Sequence, residues 1–238
     1  MTKDSIDNAR LARQVMRAAT TAALASREAG DDWPAVSLVL VGLSPQGQPI
    51  LLLSDLARHS ANISHSDKVG LLFDGTADHA ERLTGPRVSL KGTLKRSQEP
   101  ADRARYLARH QSAETYADFA DFAFYRMTVL EAYLVAGFGR IVTIPADQLL
   151  ADADAAVRIA ASEPRLLAEY NDRHGAAIRQ AVAASGGEPG QWRVIGADVD
   201  GADLAANGHF FRVSFETPVD NADAWCDAVT SGIINLSN

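Results

Sequence analysis

Two aliphatic segments, Val36–Leu43 and Ile50–Ser54, are separated by a short polar stretch containing Ser44-Pro-Gln-Gly47. Their β-branched and leucine content reads as strand, and Pro45 and Gly47 stand where a hairpin loop wants them. A strand, a tight turn and an immediate second strand cannot form a parallel βαβ unit, because that needs a crossover of about a dozen residues or more. This favours an antiparallel barrel or sandwich over a Rossmann fold. The near-continuous run Val36–Leu43 predicts a strand buried on both faces.

Other elements emerge from local pattern. Leu11, Val15 and Ala18/Ala19 fall on one face of an opening helix that Ser5 can cap. Thr20–Ala25 reads as a first strand and Gly30-Asp-Asp-Trp-Pro34 as a turn. Asp55–His65 and Pro100–Arg109 read as helices; Lys68–Asp74, Arg87–Lys95 and Ala123–Ala136 as strands, the last closing at Gly137-Phe-Gly139. Ala146–Ala184 reads as helix broken at Ser162-Glu-Pro164, with Ser162 capping the second segment. Trp192–Val199 and Phe210–Phe215 read as strands around an Asp200-Gly201 turn, and Pro218–Val229 as a final helix. The expected fold class is α+β: an antiparallel β-barrel domain over residues 1–145, then a small α+β domain over residues 146–238.

Charge and cysteine content narrow the function classes. Thirty acidic against 23 basic side chains give a net charge of −7, which argues against a nucleic-acid binder. The single cysteine, Cys226, excludes an intrachain disulfide and a thiolate zinc cluster. No apolar run approaches the roughly 20 residues that span a bilayer, and the first eight residues lack the apolar core of a secretory signal. A cytoplasmic protein without membrane association is expected. P-loop, zincin and nucleophile-elbow motifs are absent, and no two of the six histidines stand at i, i+4 on a predicted helix.

Chemistry concentrates in Leu51-Leu-Leu-Ser-Asp-Leu-Ala-Arg-His-Ser-Ala-Asn-Ile63. There an apolar strand ends in Ser54 and Asp55, and a helix begins with Arg58, His59 and Ser60. Helix-start N–H groups, hydroxyls and a guanidinium at one point are the donors that hold a phosphate. A solvated N-cap turn is the alternative.

That segment occurs in order with Val36-Ser-Leu-Val-Leu-Val41, Leu71-Leu-Phe-Asp74, Gly85-Pro-Arg-Val-Ser-Leu-Lys-Gly92 and Arg105-Tyr-Leu-Ala-Arg-His110. Together they resemble the pyridoxamine-5′-phosphate-oxidase-related flavin proteins with the FMN-binding split barrel. Tyr170-Asn-Asp-Arg-His174 and Gly196-Ala-Asp-Val-Asp-Gly201 are similar to the small second domain of the HugZ-like haem-utilisation branch. The resemblance implies an FMN-dependent oxidoreductase, a homodimer with FMN at the subunit interface, acting on a small-molecule substrate. It implies that Ser54, Asp55, Arg58, His59, Ser60 and Asn62 form the phosphate turn. It places Val36, Ser37, Leu38 and Val39 along the flavin ring, and Arg87 facing it from another strand. It also implies two alternatives, a haem-binding protein with His174 as candidate iron ligand, and a non-enzymatic regulator on the same fold. Strand Val36–Val41 has no basic residue where the true oxidases carry them, so vitamin B6 oxidation is not expected. Nothing in the resemblance or the residues assigns a catalytic group or a substrate.

Overall fold

A computed structural model describes residues 3–137 and 139–236, and divides the chain into two compact units. The first contains the described residues through Leu107 together with Ala113–Leu150; the second contains Ala108–Ser112 and the described residues from Ala151 onward.

The first unit is a curled antiparallel half-barrel. Its strands are β1 (Thr21–Arg27), β2 (Pro34–Leu40), β3 (Gly42–Leu43), β4 (Pro49–Ser54), β5 (Lys68–Asp74), β6 (Pro86–Arg96), β7 (Phe122–Ala136) and β8 (Ile141–Pro145). Helix α1 covers Lys3–Ala18, α2 Arg58–His65, α3 Pro100–Arg109 and α4 Ala146–Leu149. The sheet order is β2-β1-β5-β6-β7-β4-β3, with β8 also on β7. Strand β7 organises this sheet: it pairs with β6 along its length, with β4 over Phe122–Arg126 and with β8 over Glu131–Val135. The ladder slips one residue between Lys91 and Gly92. A Cβ on Gly92 would lie 2.1 Å from the Thr128 carbonyl oxygen, so only glycine lets β6 pass β7 there.

Leu24, Leu51, Leu71, Phe73, Val88, Met127 and Leu134 fill the barrel, and α1 closes it with Ala9, Ala12, Val15 and Met16. Two arginines of α1 are buried as well. Arg13 donates to the Leu149 carbonyl (3.1 Å) and Arg17 to the Pro45 carbonyl (2.9 Å). A second layer packs Ile50 and Leu52 against Tyr106, Leu107, Ala113 and Ala117.

That second layer corrects the expectation of double burial. The strand covered on both faces is β4, whose odd and even residues enter different clusters. Val36–Leu43 instead divides into β2 and β3, and β2 is the sheet edge. Val36 and Leu38 are 70% and 78% exposed, since no described residue covers these side chains on the outer face of the edge strand. Helix α1 begins at Lys3, ahead of the expected cap position Ser5. The hairpin at Ser44–Gly47 forms as expected, with Gly47 at φ +98°. The β7–β8 connection runs through Gly137 (φ +73°) and Gly139 (φ +94°); Phe138 of that turn lies outside the described residues. Strand β8 is an element that local pattern does not indicate.

The second unit is a three-stranded meander with two helices. Strands β9 (Arg193–Asp198), β10 (Gly201–Ala206) and β11 (His209–Ser214) run antiparallel in the order β11-β10-β9. Strand β10 is also absent from local pattern; it begins within the region read as an Asp200-Gly201 turn. Asn207 (φ +49°) and Gly208 (φ +80°) make the β10–β11 turn in the primed geometry that right-handed strand twist favours. Helix α5 covers Ala153–Ala184 and α6 Ala222–Leu236, the latter longer than expected and later in starting. The expected break at Ser162-Glu-Pro164 is absent: α5 runs through Pro164 for 32 residues. The interruption lies before it, where Asp152 caps α5 by accepting the Ala155 N–H (2.8 Å). The Ser162 hydroxyl donates to the Arg158 carbonyl instead (3.1 Å).

The motif residues of this unit are structural. Asn171 holds the backbone of Val194 at both ends, donating to its carbonyl (2.9 Å) and accepting from its N–H (2.8 Å). Tyr170 packs on Trp225, whose indole donates to the Gly201 carbonyl (3.1 Å). Arg212 bridges Asp198 and Asp203 in a buried network that Arg109 also joins.

Candidate functional site

The site forms where β4 runs out. Ser54 stands opposite Phe122 of β7, and the chain turns through residues 55–57 into α2. Asp121 holds this turn twice: its carbonyl accepts the Asp55 N–H and its carboxylate accepts the Ser54 hydroxyl, each at 2.6 Å. The Ser54 oxygen also accepts the Leu56 N–H (3.1 Å), and the Ser60 hydroxyl donates to the Ser54 carbonyl (2.7 Å).

Beside the turn lies a cavity of about 330 Å³. Leu38, Val39 and Leu40 of β2, Leu52 and Leu53 of β4, and the rings of Tyr106, Tyr116 and Phe122 make its walls, with Ser54, Ala57 and His59 at the turn side. The aromatic wall is preassembled: Tyr106 meets Phe124 edge-on (5.6 Å) and Tyr116 leans on Phe122 (5.0 Å). Burial raises the Tyr106 phenol well above its ordinary value, so it stays protonated.

His59 is half-buried against this apolar wall. Burial holds its imidazole below the ordinary value of 6.5, because a charged ring loses hydration there. Its ring nitrogens have no hydrogen-bond or ion-pair partner among the described residues. An uncharged imidazole with an open nitrogen is a metal-ligating group. Among the described residues no three His, Cys, Asp or Glu side chains cluster to hold a bare metal ion.

The other expected site residues divide. Ser54, His59, Leu38 and Val39 meet at the cavity. Val36 and Ser37 lie further along β2, Val36 facing outward. Asp55 pairs with Arg96 (2.5 Å) and Arg58 with Glu28 (2.5 Å), both arginines exposed and the Glu28 side chain mostly covered. Ser60 and Asn62 are buried. Asn62 braces α2 to the end of β1, donating to the Ser26 hydroxyl (3.0 Å) and accepting the Ala29 N–H (3.3 Å). Arg87 is not brought to the turn within one chain. It pairs with Val135 of β7, whereas Ser54 pairs with Phe122 at the other end of that strand. Its guanidinium donates to the Leu83 and Gly85 carbonyls.

His174 belongs to the second unit. It stacks on Tyr170 with ring centroids 4.4 Å apart and planes 29° off parallel. The adjoining cavity, about 240 Å³, is edged by Glu169, Arg173, Cys226, Asp227 and Thr230. Burial pushes the Cys226 thiol up, away from nucleophile behaviour.

Sequence pattern does not single out Asp121, Tyr106, Tyr116 or Phe122 as site residues. Tyr106 enters there only within an expected helix and the Arg105–His110 segment, with no site role. Asp121 has no local signal, since only the β4–β7 register brings it to Ser54.

The sequence pattern of the family described as CREG, beta-barrel matches residues 3–151. Over 100 residues the chain is 34% identical to the non-canonical heme oxygenase HOZ, chloroplastic, of Arabidopsis thaliana. That match covers 41% of this chain and 30% of the relative's length. A protein of unknown function from Agrobacterium tumefaciens superposes with a TM-score of 0.78 at 26% identity, over 94% of each chain. A heme binding protein from Mycobacterium smegmatis superposes with a TM-score of 0.58 at 22% identity, over 99% of this chain and 98% of that one. This last likeness speaks to fold. No helix among the described residues is long and apolar enough to cross a membrane.

Proposed function

Since the chain belongs to the CREG β-barrel family, we propose that it is a haem-binding protein whose tetrapyrrole is received in the cavity at the end of β4. The observation that carries this reading is His59: an uncharged, unpartnered imidazole set in an apolar, aromatic wall. The 34% identity to a heme oxygenase over 100 residues supports it. Iron bound there would bring redox and oxygen chemistry of its own. The chain's part is to hold His59 neutral, to offer leucine and aromatic surface to the macrocycle, and to keep water from it.

The same geometry fits a phosphorylated flavin less well. Four of the side-chain donors expected for the phosphate already have protein acceptors: Arg58 has Glu28, Ser54 has Asp121, Ser60 has the Ser54 carbonyl and Asn62 has Ser26. The Asp121 and Asp55 carboxylates beside the turn oppose a dianion.

The homodimer belongs to the same proposal. Leu38, Ala23, Leu72, Ser89 and Tyr133 lie in one register row across the outer face of β2, β1, β5, β6 and β7. Leu38, Leu72 and Tyr133 are exposed large side chains in that row, and Val36 adjoins them. A second copy covers this face, since an edge strand with an apolar outer surface invites association.

Titration of the purified protein with haemin, read by its Soret absorption, tests the proposal, with a parallel titration with FMN read by flavin fluorescence. Saturable haemin binding is expected, lost or spectrally altered in His59→Ala and retained in His174→Ala. Loss in His174→Ala alone would move the ligand to the second unit. Saturable FMN uptake without haemin binding would overturn the reading.

A further inference from the structure

Arg58 stands between two residues, Ala57 and His59, that both line the cavity, yet its own side chain turns outward. There its guanidinium meets Glu28 at 2.5 Å, with the arginine side chain 75% exposed and the glutamate 16% exposed. No other partner of Arg58 is present among the described residues. The arginine end of the pair stands in water, where solvent and salt screen it, and both side chains lose freedom in making it, so its contribution to stability is modest. The pair therefore opens at small cost. Among the described residues no other contact depends on the Arg58 guanidinium: α2 is tied to β1 by Asn62, and the turn is tied to β7 by Asp121.

We infer that Arg58 is a ligand-selecting group, and that Glu28 occupies it until a carboxylate carried on the tetrapyrrole edge takes its place. This rests on the reading that the β4 cavity receives a tetrapyrrole, and extends it to the kind accepted, one bearing free side-chain carboxylates. Exchange of one carboxylate for another conserves charge at the guanidinium. Glu28, close to the surface, returns to water when displaced. A guanidinium offers a carboxylate two parallel N–H donors, so the arriving group is oriented as well as bound. Anchoring the polar edge of the ring at the rim leaves its apolar body against Leu38, Leu52 and Phe122.

The test compares haemin with its dimethyl ester, which keeps iron and macrocycle and removes both carboxylates. Wild-type protein is expected to bind haemin about tenfold or more tightly than the ester, the scale of a charge-assisted hydrogen bond. Arg58→Gln should abolish that preference by weakening haemin and leaving the ester unchanged. Glu28→Gln, which removes the competitor, should tighten haemin and leave the ester unchanged. Equal affinity of wild type for the two porphyrins overturns the inference, as does equal weakening of both by Arg58→Gln. If neither porphyrin binds wild type, the haem reading itself fails, a distinct outcome.

Discussion

The Ser54 hydroxyl and the Asp121 carboxylate are 67 residues apart in sequence and 2.6 Å apart in the fold. The bond is made because β4 and β7 pair antiparallel with Ser54 opposite Phe122, which sets the preceding residue beside the turn. Replacing Asp121 by Ala leaves the Ser54 hydroxyl without its acceptor and frees the turn that shapes one side of the cavity. A loss of about 1–3 kcal/mol in unfolding free energy is expected from urea denaturation. Haemin affinity should fall with it, while Asp121→Asn, which still accepts a hydrogen bond, should lose less of both.

The pH response should carry the signature of His59. Burial lowers the folded-state value below 6.5, so between the two values the unfolded chain binds more protons than the folded one. Stability then rises with pH in that window. It falls as the solution is acidified from about pH 6.5 and levels off once the folded-state imidazole is also charged. Subtracting the stability–pH curve of His59→Gln from that of wild type should isolate this slope. A flat difference curve would mean that His59 is hydrated in solution.

On the outer face of the sheet, Leu38→Arg tests the proposed dimer. Because Leu38 is 78% exposed within one chain, the substitution should leave the far-ultraviolet circular dichroism of the folded chain unchanged. Sedimentation velocity should show wild-type dimer and Leu38→Arg monomer. A variant that stays dimeric would place the interface elsewhere.

The buried ion pairs of the second unit should matter far more than the surface pairs of the first. Arg212 contacts Asp198 at 2.8 Å and Asp203 at 2.6 Å, with side chains of all three almost wholly inaccessible. Arg212→Met leaves two carboxylates buried without this partner, and about 3–5 kcal/mol of stability should be lost. Arg103→Met, which breaks the exposed pair with Asp118, should change it by no more than about 1 kcal/mol. Chemical denaturation of the two variants side by side checks the contrast.

Where local pattern and fold agree, the reason is local. Lys68–Asp74 and Pro100–Arg109 form as expected to the residue, since alternation and amphipathic spacing act within a few neighbours. Pro164 shows the reverse. Its missing N–H and its ring disfavour a helix interior, yet α5 continues through it. Ile159 and Leu166 on either side are both buried in the core of the second unit, and that packing outweighs the local penalty. Composition likewise points to double burial of Val36–Leu43, whereas β4 receives it, because the layer over Ile50 and Leu52 comes from residues 106–117. No pattern within a strand reveals which distant segment will cover it.

The same division runs through the candidate site. By itself the sequence determined the antiparallel hairpin, the chain turn at Ser54–Asp55 and the helix that begins at Arg58, because turn chemistry and hydrophobic period are properties of adjacent residues. It also brought His59 into consideration, as part of a polar group at a strand end. Only the tertiary structure decided that His59 faces a wall of Tyr106, Tyr116 and Phe122, that Arg58 is held by Glu28, and that Arg87 lies at the far end of β7. Those outcomes depend on strand register and on which faces are desolvated, and both are settled by contacts between segments far apart in the chain.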